Sequence, residues 1–168
     1  MKKIILIVLV AFSFSACEKD DICDANTTET TPKLVIEFYD FINPTVPKSV
    51  SNLVIKTDAV EKGISYSPGS KILVPLKINA DTVTYRFIQN GATNPLTNVN
   101  VDIITINYKR VNTYVSRACG FKTTFELNPT NGVVLSDATP ADNLWMRETQ
   151  IKVFQINNET EIHVKILF

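Results

Sequence analysis

Thr82-Val83-Thr84-Tyr85-Arg86-Phe87-Ile88-Gln89 sets apolar residues at alternate positions and runs into Asn90-Gly91. A repeat of two is the mark of a strand with one face buried, so Val83, Tyr85 and Phe87 share an inner face and Asn90-Gly91 is the turn that ends it. After a loop around Pro95, residues 99–110 repeat the pattern, with Ile104, Ile106 and Tyr108 on one side. This is the longest strand the pattern predicts.

The same period extends outward in both directions. Upstream, Leu34, Ile36 and Phe38 alternate with Val35, Glu37 and Tyr39, and Leu53 and Ile55 share a face within residues 50–57. Residues 63–70, with Pro68-Gly69, are turn chemistry. Ile72, Val74, Leu76 and Ile78 then face inward, and Pro75, which lacks a ladder donor, places that strand at an edge or at a bulge. Downstream, residues 113–127 stay extended through Cys119-Gly120, with Phe121, Thr123, Phe125 and Leu127 on one face. Residues 128–132 form a turn and residues 133–135 a short strand. Residues 136–147, a loop or short helix, hold the single tryptophan, Trp145. Residues 150–156 and 161–168 are expected to close a hairpin across Asn157-Asn158.

About 8–9 strands, with turns at regular spacing and no long helical period, predict an all-β fold: an antiparallel β-sandwich of immunoglobulin-like or related topology. It is not a true immunoglobulin domain by motif, because Trp145 follows both Cys23 and Cys119 instead of lying between them.

The N-terminus is of another kind. Lys2 and Lys3 precede an apolar run of about eleven residues, 4–14, which is shorter than the roughly 20 needed to span a bilayer as a helix. A basic start, a short apolar core and small residues ahead of a cleavage point describe a secretory signal peptide over residues 1–16. Phe14-Ser15-Ala16-Cys17 resembles the lipobox of bacterial lipoproteins, with Phe where Leu is usual; the resemblance implies acylation of Cys17. Lys19-Asp20-Asp21 resembles the export signal of Bacteroidetes lipoproteins bound for the outer face of the outer membrane, and also suits an ordinary solvated tether. The expected organisation is signal peptide 1–16, lipidated cysteine and polar tether 17–32, and one sandwich domain 33–168.

Without residues 1–16, 152 residues remain, with 15 basic against 17 acidic side chains. That length supports a real core, and a balance so near neutral excludes the basic face a nucleic-acid partner requires. Three cysteines leave one odd thiol in an exported protein. Acylation of Cys17 accounts for it and leaves Cys23 and Cys119 to pair in an oxidising compartment. The rivals are two free thiols and a metal site, and the spacing of Cys23, Cys119 and the single His163 is not that of a zinc centre. The expectation is no metal and no cofactor.

Cys23, Leu34-Val35-Ile36-Glu37-Phe38-Tyr39-Asp40, Val74-Pro75-Leu76 and Cys119-Gly120-Phe121 together resemble a family of small Bacteroidetes lipoproteins of unknown function. The likeness runs from Cys17 to about Leu127, with the C-terminal hairpin less distinctive. It implies compartment, disulfide and β-architecture, and supplies no activity.

Catalytic signals are thin. His163, between Ile162 and Val164, reads as a solvated surface residue sharing its face with Glu161 and Lys165, and no serine sits in a nucleophile elbow. Asp137 and Asp142 flank the loop of Trp145, a combination that suits a sugar or a cation; the plainer reading is loop solvation around a core tryptophan. The expected protein is lipid-anchored on the outer membrane and exposed at the cell surface, the periplasmic face being the alternative. Its expected role is a non-enzymatic binding or accessory module for a glycan or an envelope protein. The alternatives are a carboxylate-based glycan hydrolase and a purely structural envelope protein.

Overall fold

A computed structural model of the chain describes Cys23 and residues 30–92 and 98–168. The predicted signal peptide, Cys17 and the Lys19-Asp20-Asp21 run lie outside the described residues.

Eleven strands and no helix make up the described chain. They are β1 (Leu34–Tyr39), β2 (Val54–Lys56), β3 (Ile64–Ser65), β4 (Lys71–Val74), β5 (Thr82–Gln89), β6 (Asn100–Ser116), β7 (Gly120–Leu127), β8 (Val133–Asp137), β9 (Glu148–Ile151), β10 (Gln155–Ile156) and β11 (Val164–Leu167). One sheet has the order β4-β1-β11-β9. The other runs β10-β7-β6-β5-β2-β3, with β8 also paired to β6. The fold is all-β and sandwich-like, as the period of two requires.

The β5–β6 pair is the frame. Val83 lies opposite Ile106, Tyr85 opposite Ile104 and Phe87 opposite Asp102. The inward residues of both sheets meet in one core, Leu34, Ile36 and Phe38 of β1 with Ile55, Phe87, Ile104, Ile106 and Phe125 of the second sheet. Burying each of these large side chains contributes roughly 1.5–3 kcal/mol, which offsets the cost of ordering the strands.

Pro75 acts as predicted. β4 is an edge strand and stops at Val74, one residue before the proline. Three tyrosines serve the backbone on either side of it. The hydroxyls of Tyr66 and Tyr85 donate to the carbonyls of Leu73 (2.7 Å) and Pro75 (2.6 Å), and the Tyr108 hydroxyl accepts from the Lys77 amide (2.9 Å). Burial, followed by the neighbouring Tyr108 and Tyr66, pushes the Tyr85 phenol up to about 12, so it remains a donor.

Three expectations are corrected. Ile78 is 61% exposed, because the strand has ended before it. Phe121 is 70% exposed, while Thr123, Phe125 and Leu127 on the same face are buried. Residues 150–156 do not form one arm of a hairpin: β9 pairs with β11, whereas β10 crosses to the other sheet and pairs with β7. Of the two readings of residues 136–147, the loop holds: after β8 ends at Asp137 the chain forms no helix before β9. In addition, one strand pair is parallel, β1 with β11, joining the two ends of the folded chain with Ile36 opposite Val164.

The chain divides into two compact units. The larger takes residues 31–111 and 123–168 and contains the core. The smaller takes Asn112–Lys122, where β6 turns into β7, together with Cys23 and Thr30. Within the smaller unit Cys23 and Cys119 form a disulfide, as the cysteine count predicted. Gly120, beside Cys119, has φ of +69°, a conformation that a side chain would strain.

Candidate functional site

The loop of residues 138–147 folds back over the ends of β6 and β8. Asp137, the last residue of β8, lies directly opposite Asp102 of β6, so the two carboxylates share a face. Asp102 Oδ2 accepts from the Met146 amide (2.7 Å) and Asp137 Oδ2 from the Asn143 amide (3.0 Å). Asn100 Nδ2 donates to the Asn143 carbonyl (2.7 Å). Asn143 takes φ of 75°, which asparagine tolerates, and the chain then turns inward to Trp145.

Trp145 is 8% exposed. Its indole packs against Phe38 and Phe168, with ring centroids 6.2 and 5.6 Å away, and Nε1 donates to the Phe87 carbonyl (3.2 Å). The ring therefore presents no face on which a sugar can stack. Of the predicted loop residues, Asp142 is exposed, Asp137 is half-buried and Trp145 belongs to the core. The electrostatic centre of the loop is a residue outside that set, Asp102, which has no exposed surface. Loss of water, with the charges of Asp137 and Asp142 adding to it, pushes its carboxyl up to about 6, against the pull of the Met146 and Trp145 amides. One oxygen each of Asn100, Asp102 and Asp137 is buried without a hydrogen-bond partner. The signal for Asp102 was present in the sequence: the alternation of Ile104, Ile106 and Tyr108, carried back two residues, puts it on the inner face.

His163 is also corrected. It is fully buried, not solvated. Its Nδ1 accepts from the Val35 amide (3.0 Å), its own amide donates to the Val35 carbonyl (3.1 Å), and Nε2 has no partner. An accepting Nδ1 requires the neutral ring, and burial pushes its pKa below the ordinary histidine value. The side chain locks β1 to the start of β11 and faces no cleft. Among the described residues, no group of three His, Cys, Asp or Glu side chains is placed to hold a metal ion.

An accessible cleft lies elsewhere. It has a volume of about 520 Å³ and is open to solvent, lined by Asp81, Asn107, Lys109, Glu126, Asn128 and Asn131, with Tyr108, Leu127 and Pro129 completing its walls. Its floor is backbone held by hydrogen bonds: Tyr108 N to Asp81 O (2.9 Å), Asn107 N to Gly132 O (2.9 Å) and Asn128 N to Asn107 O (3.0 Å). Asn128 Oδ1 accepts from the Thr130 amide (2.9 Å), which fixes the turn into β8. Gly132 closes that turn where a Cβ would lie 2.4 Å from the Asn128 carbonyl. Arg110 Nε donates to Asp81 Oδ1 (2.6 Å) and its Nη1 to the Ile78 carbonyl (2.8 Å). The guanidinium beside Asp81 holds that carboxyl below its ordinary value.

The cleft is thus a wall of amides and carboxylates on a rigid floor, rich in paired donors and acceptors and without an exposed aromatic ring. Within it Asp81 is held ionised by Arg110, and the raised carboxyl, Asp102, has no exposed surface and lies outside its lining.

The model of a family of unknown function, DUF6452, matches residues 50–168. The chain belongs to this family. The match takes in the cleft, the Asp102 loop, His163 and the whole C-terminal region, the part that looked less distinctive in the sequence. It leaves out β1 and Cys23. No curated protein and no solved structure matches the chain. Membership of DUF6452 brings no activity with it, so the chemistry of the site stands on its own geometry.

Proposed function

We propose that this DUF6452 protein is a lipid-anchored, non-enzymatic glycan-binding module on the outer face of the outer membrane. The observation that carries the reading is the open cleft beside Asp81, Asn107 and Asn131. Polyhydroxylated ligands are held by fixed amide and carboxylate groups, and a rigid floor avoids the entropy cost of ordering a loop on binding. The anchored placement rests on the lipobox-like Phe14-Ser15-Ala16-Cys17 and on Lys19-Asp20-Asp21, as in the Bacteroidetes lipoproteins the chain resembles.

Purified protein applied to a panel of bacterial and host polysaccharides should retain at least one of them. The double variant N131A/E126A should weaken that retention by roughly tenfold, as expected for two lost hydrogen bonds of about 0.5–1.5 kcal/mol each. Release of new reducing ends from the bound polysaccharide would show hydrolysis and sink the non-enzymatic reading; retention of no polysaccharide would sink the glycan.

Placement is tested separately by protease treatment of intact cells. The wild-type protein should be shaved, and a K19A/D20A/D21A variant should be protected. Equal protection of both would put the module on the periplasmic face.

A further inference from the structure

The smaller unit carries an exposed aromatic pair that the core does not explain. Tyr114 and Phe121 lie on the two arms of the β6–β7 turn, 56% and 70% exposed, their rings in an edge-on contact with centroids 5.5 Å apart. Scattered exposed apolar residues are ordinary, but two large rings packed on each other in solvent are not. Arg117, exposed at the tip, and Lys122 give the same turn basic charge. The turn is held by Cys119, whose amide donates to Ser116 Oγ (3.0 Å) and whose sulfur is bonded to Cys23.

Cys23 stands six residues after Cys17. Six residues span at most about 20 Å, so on the anchored reading the disulfide keeps the turn within that distance of the acyl chains. Aromatic rings with basic neighbours are the side chains that settle at the boundary of headgroups and hydrocarbon.

We infer that the turn of residues 112–122 is a second membrane contact, with Tyr114 and Phe121 seated in the headgroup region of the leaflet that holds the Cys17 lipid and Arg117 against its phosphates. The inference rests on the anchored reading of the protein. The turn would then be attached at two points, through the disulfide to the segment that carries the lipid and through the inserted rings.

The test uses full-length protein extracted from membranes and reconstituted in phospholipid vesicles. Trp145 is buried, so wild-type fluorescence is a stable background and F121W adds one reporter at the tip. Mass spectrometry of the same sample reads the acyl chains. Acylated F121W should emit blue-shifted light and lose about twofold in intensity when the vesicle lipids are brominated near the headgroup, as a ring at the interface must. Acylated protein whose F121W emission is red and unquenched would overturn the inference and leave the anchor standing. Blue-shifted but unquenched emission would mean the pair is covered by protein, a second copy or a partner, and would also overturn it. Protein without acyl chains would overturn the anchored reading and the inference with it.

Discussion

Replacing Cys23 and Cys119 with serine should cost about 4–5 kcal/mol of unfolding free energy, the loop-closure entropy of a cross-link over 96 residues. Cys23 is exposed and Cys119 half-buried, so serine disturbs little native packing. The loss comes from the unfolded chain, which regains the conformations the bond forbids. Trp145, between Phe38 and Phe168, reports the transition without a label. Urea melts of wild type and C23S/C119S should differ in midpoint, and the variant should show a steeper slope because its unfolded state exposes more surface. A difference below about 1 kcal/mol would contradict the entropic account and mean that the unfolded chain is already restrained near Cys119.

How much of this was legible follows from what alternation can encode. β5 was readable to the residue because one face is buried and the other is not, so sequence and burial carry the same period. β4 was readable because Pro75 has no donor to offer. The pattern could not show where overlap with the other sheet ends. Ile78 and Phe121 are in phase with buried neighbours yet lie beyond the covered stretch, and both are exposed.

Alternation is also silent on partners. Val153-Phe154-Gln155-Ile156 reads as a continuation of β9, but the strand changes sheets. The parallel pairing of β1 with β11 joins segments more than a hundred residues apart, which no local signal encodes.

The polar residues were the hardest to place. His163 was assigned to solvent by its charged neighbours, Glu161 and Lys165, whereas its environment is set by Val35, whose amide needs an acceptor at that point. The cleft is assembled from Asp81, residues 107–109 and residues 126–131, none of which forms a motif in sequence. The Asp137, Asp142 and Trp145 loop was recognisable as unusual. What it lacked was Asp102, 35 residues earlier on another strand, which turns the loop from a solvent-facing shelf into a closed latch.

That latch predicts the second large effect. D102N should be more stable than wild type at pH 7 by as much as about 3 kcal/mol, the equivalent of a carboxyl raised from 3.8 to about 6. The sign follows from proton counting. Between pH 4 and 6 the folded state keeps a proton on Asp102 that the unfolded state has released, so stability falls as pH rises through that window and the full cost is present above it. In D102N the amide oxygen still accepts from the Met146 amide, and a neutral group replaces a buried negative charge repelled by Asp137 and Asp142. Below pH 4 the two proteins should be equally stable.

His163 works the other way. Its value is lowered in the folded state, so its contribution is complete above about pH 6.5 and is lost as pH falls through its folded value, when a proton on Nδ1 would confront the Val35 amide. In the wild type the two slopes oppose each other below about pH 6 and flatten the profile. Removing the Asp102 slope should therefore expose an acid-sensitive one, and D102N should lose stability steadily on acidification from pH 6.5. If D102N were instead less stable than wild type at pH 7, with a parallel profile, the folded protein would hold the Asp102 carboxyl no higher than its ordinary value, and burial would not set its charge.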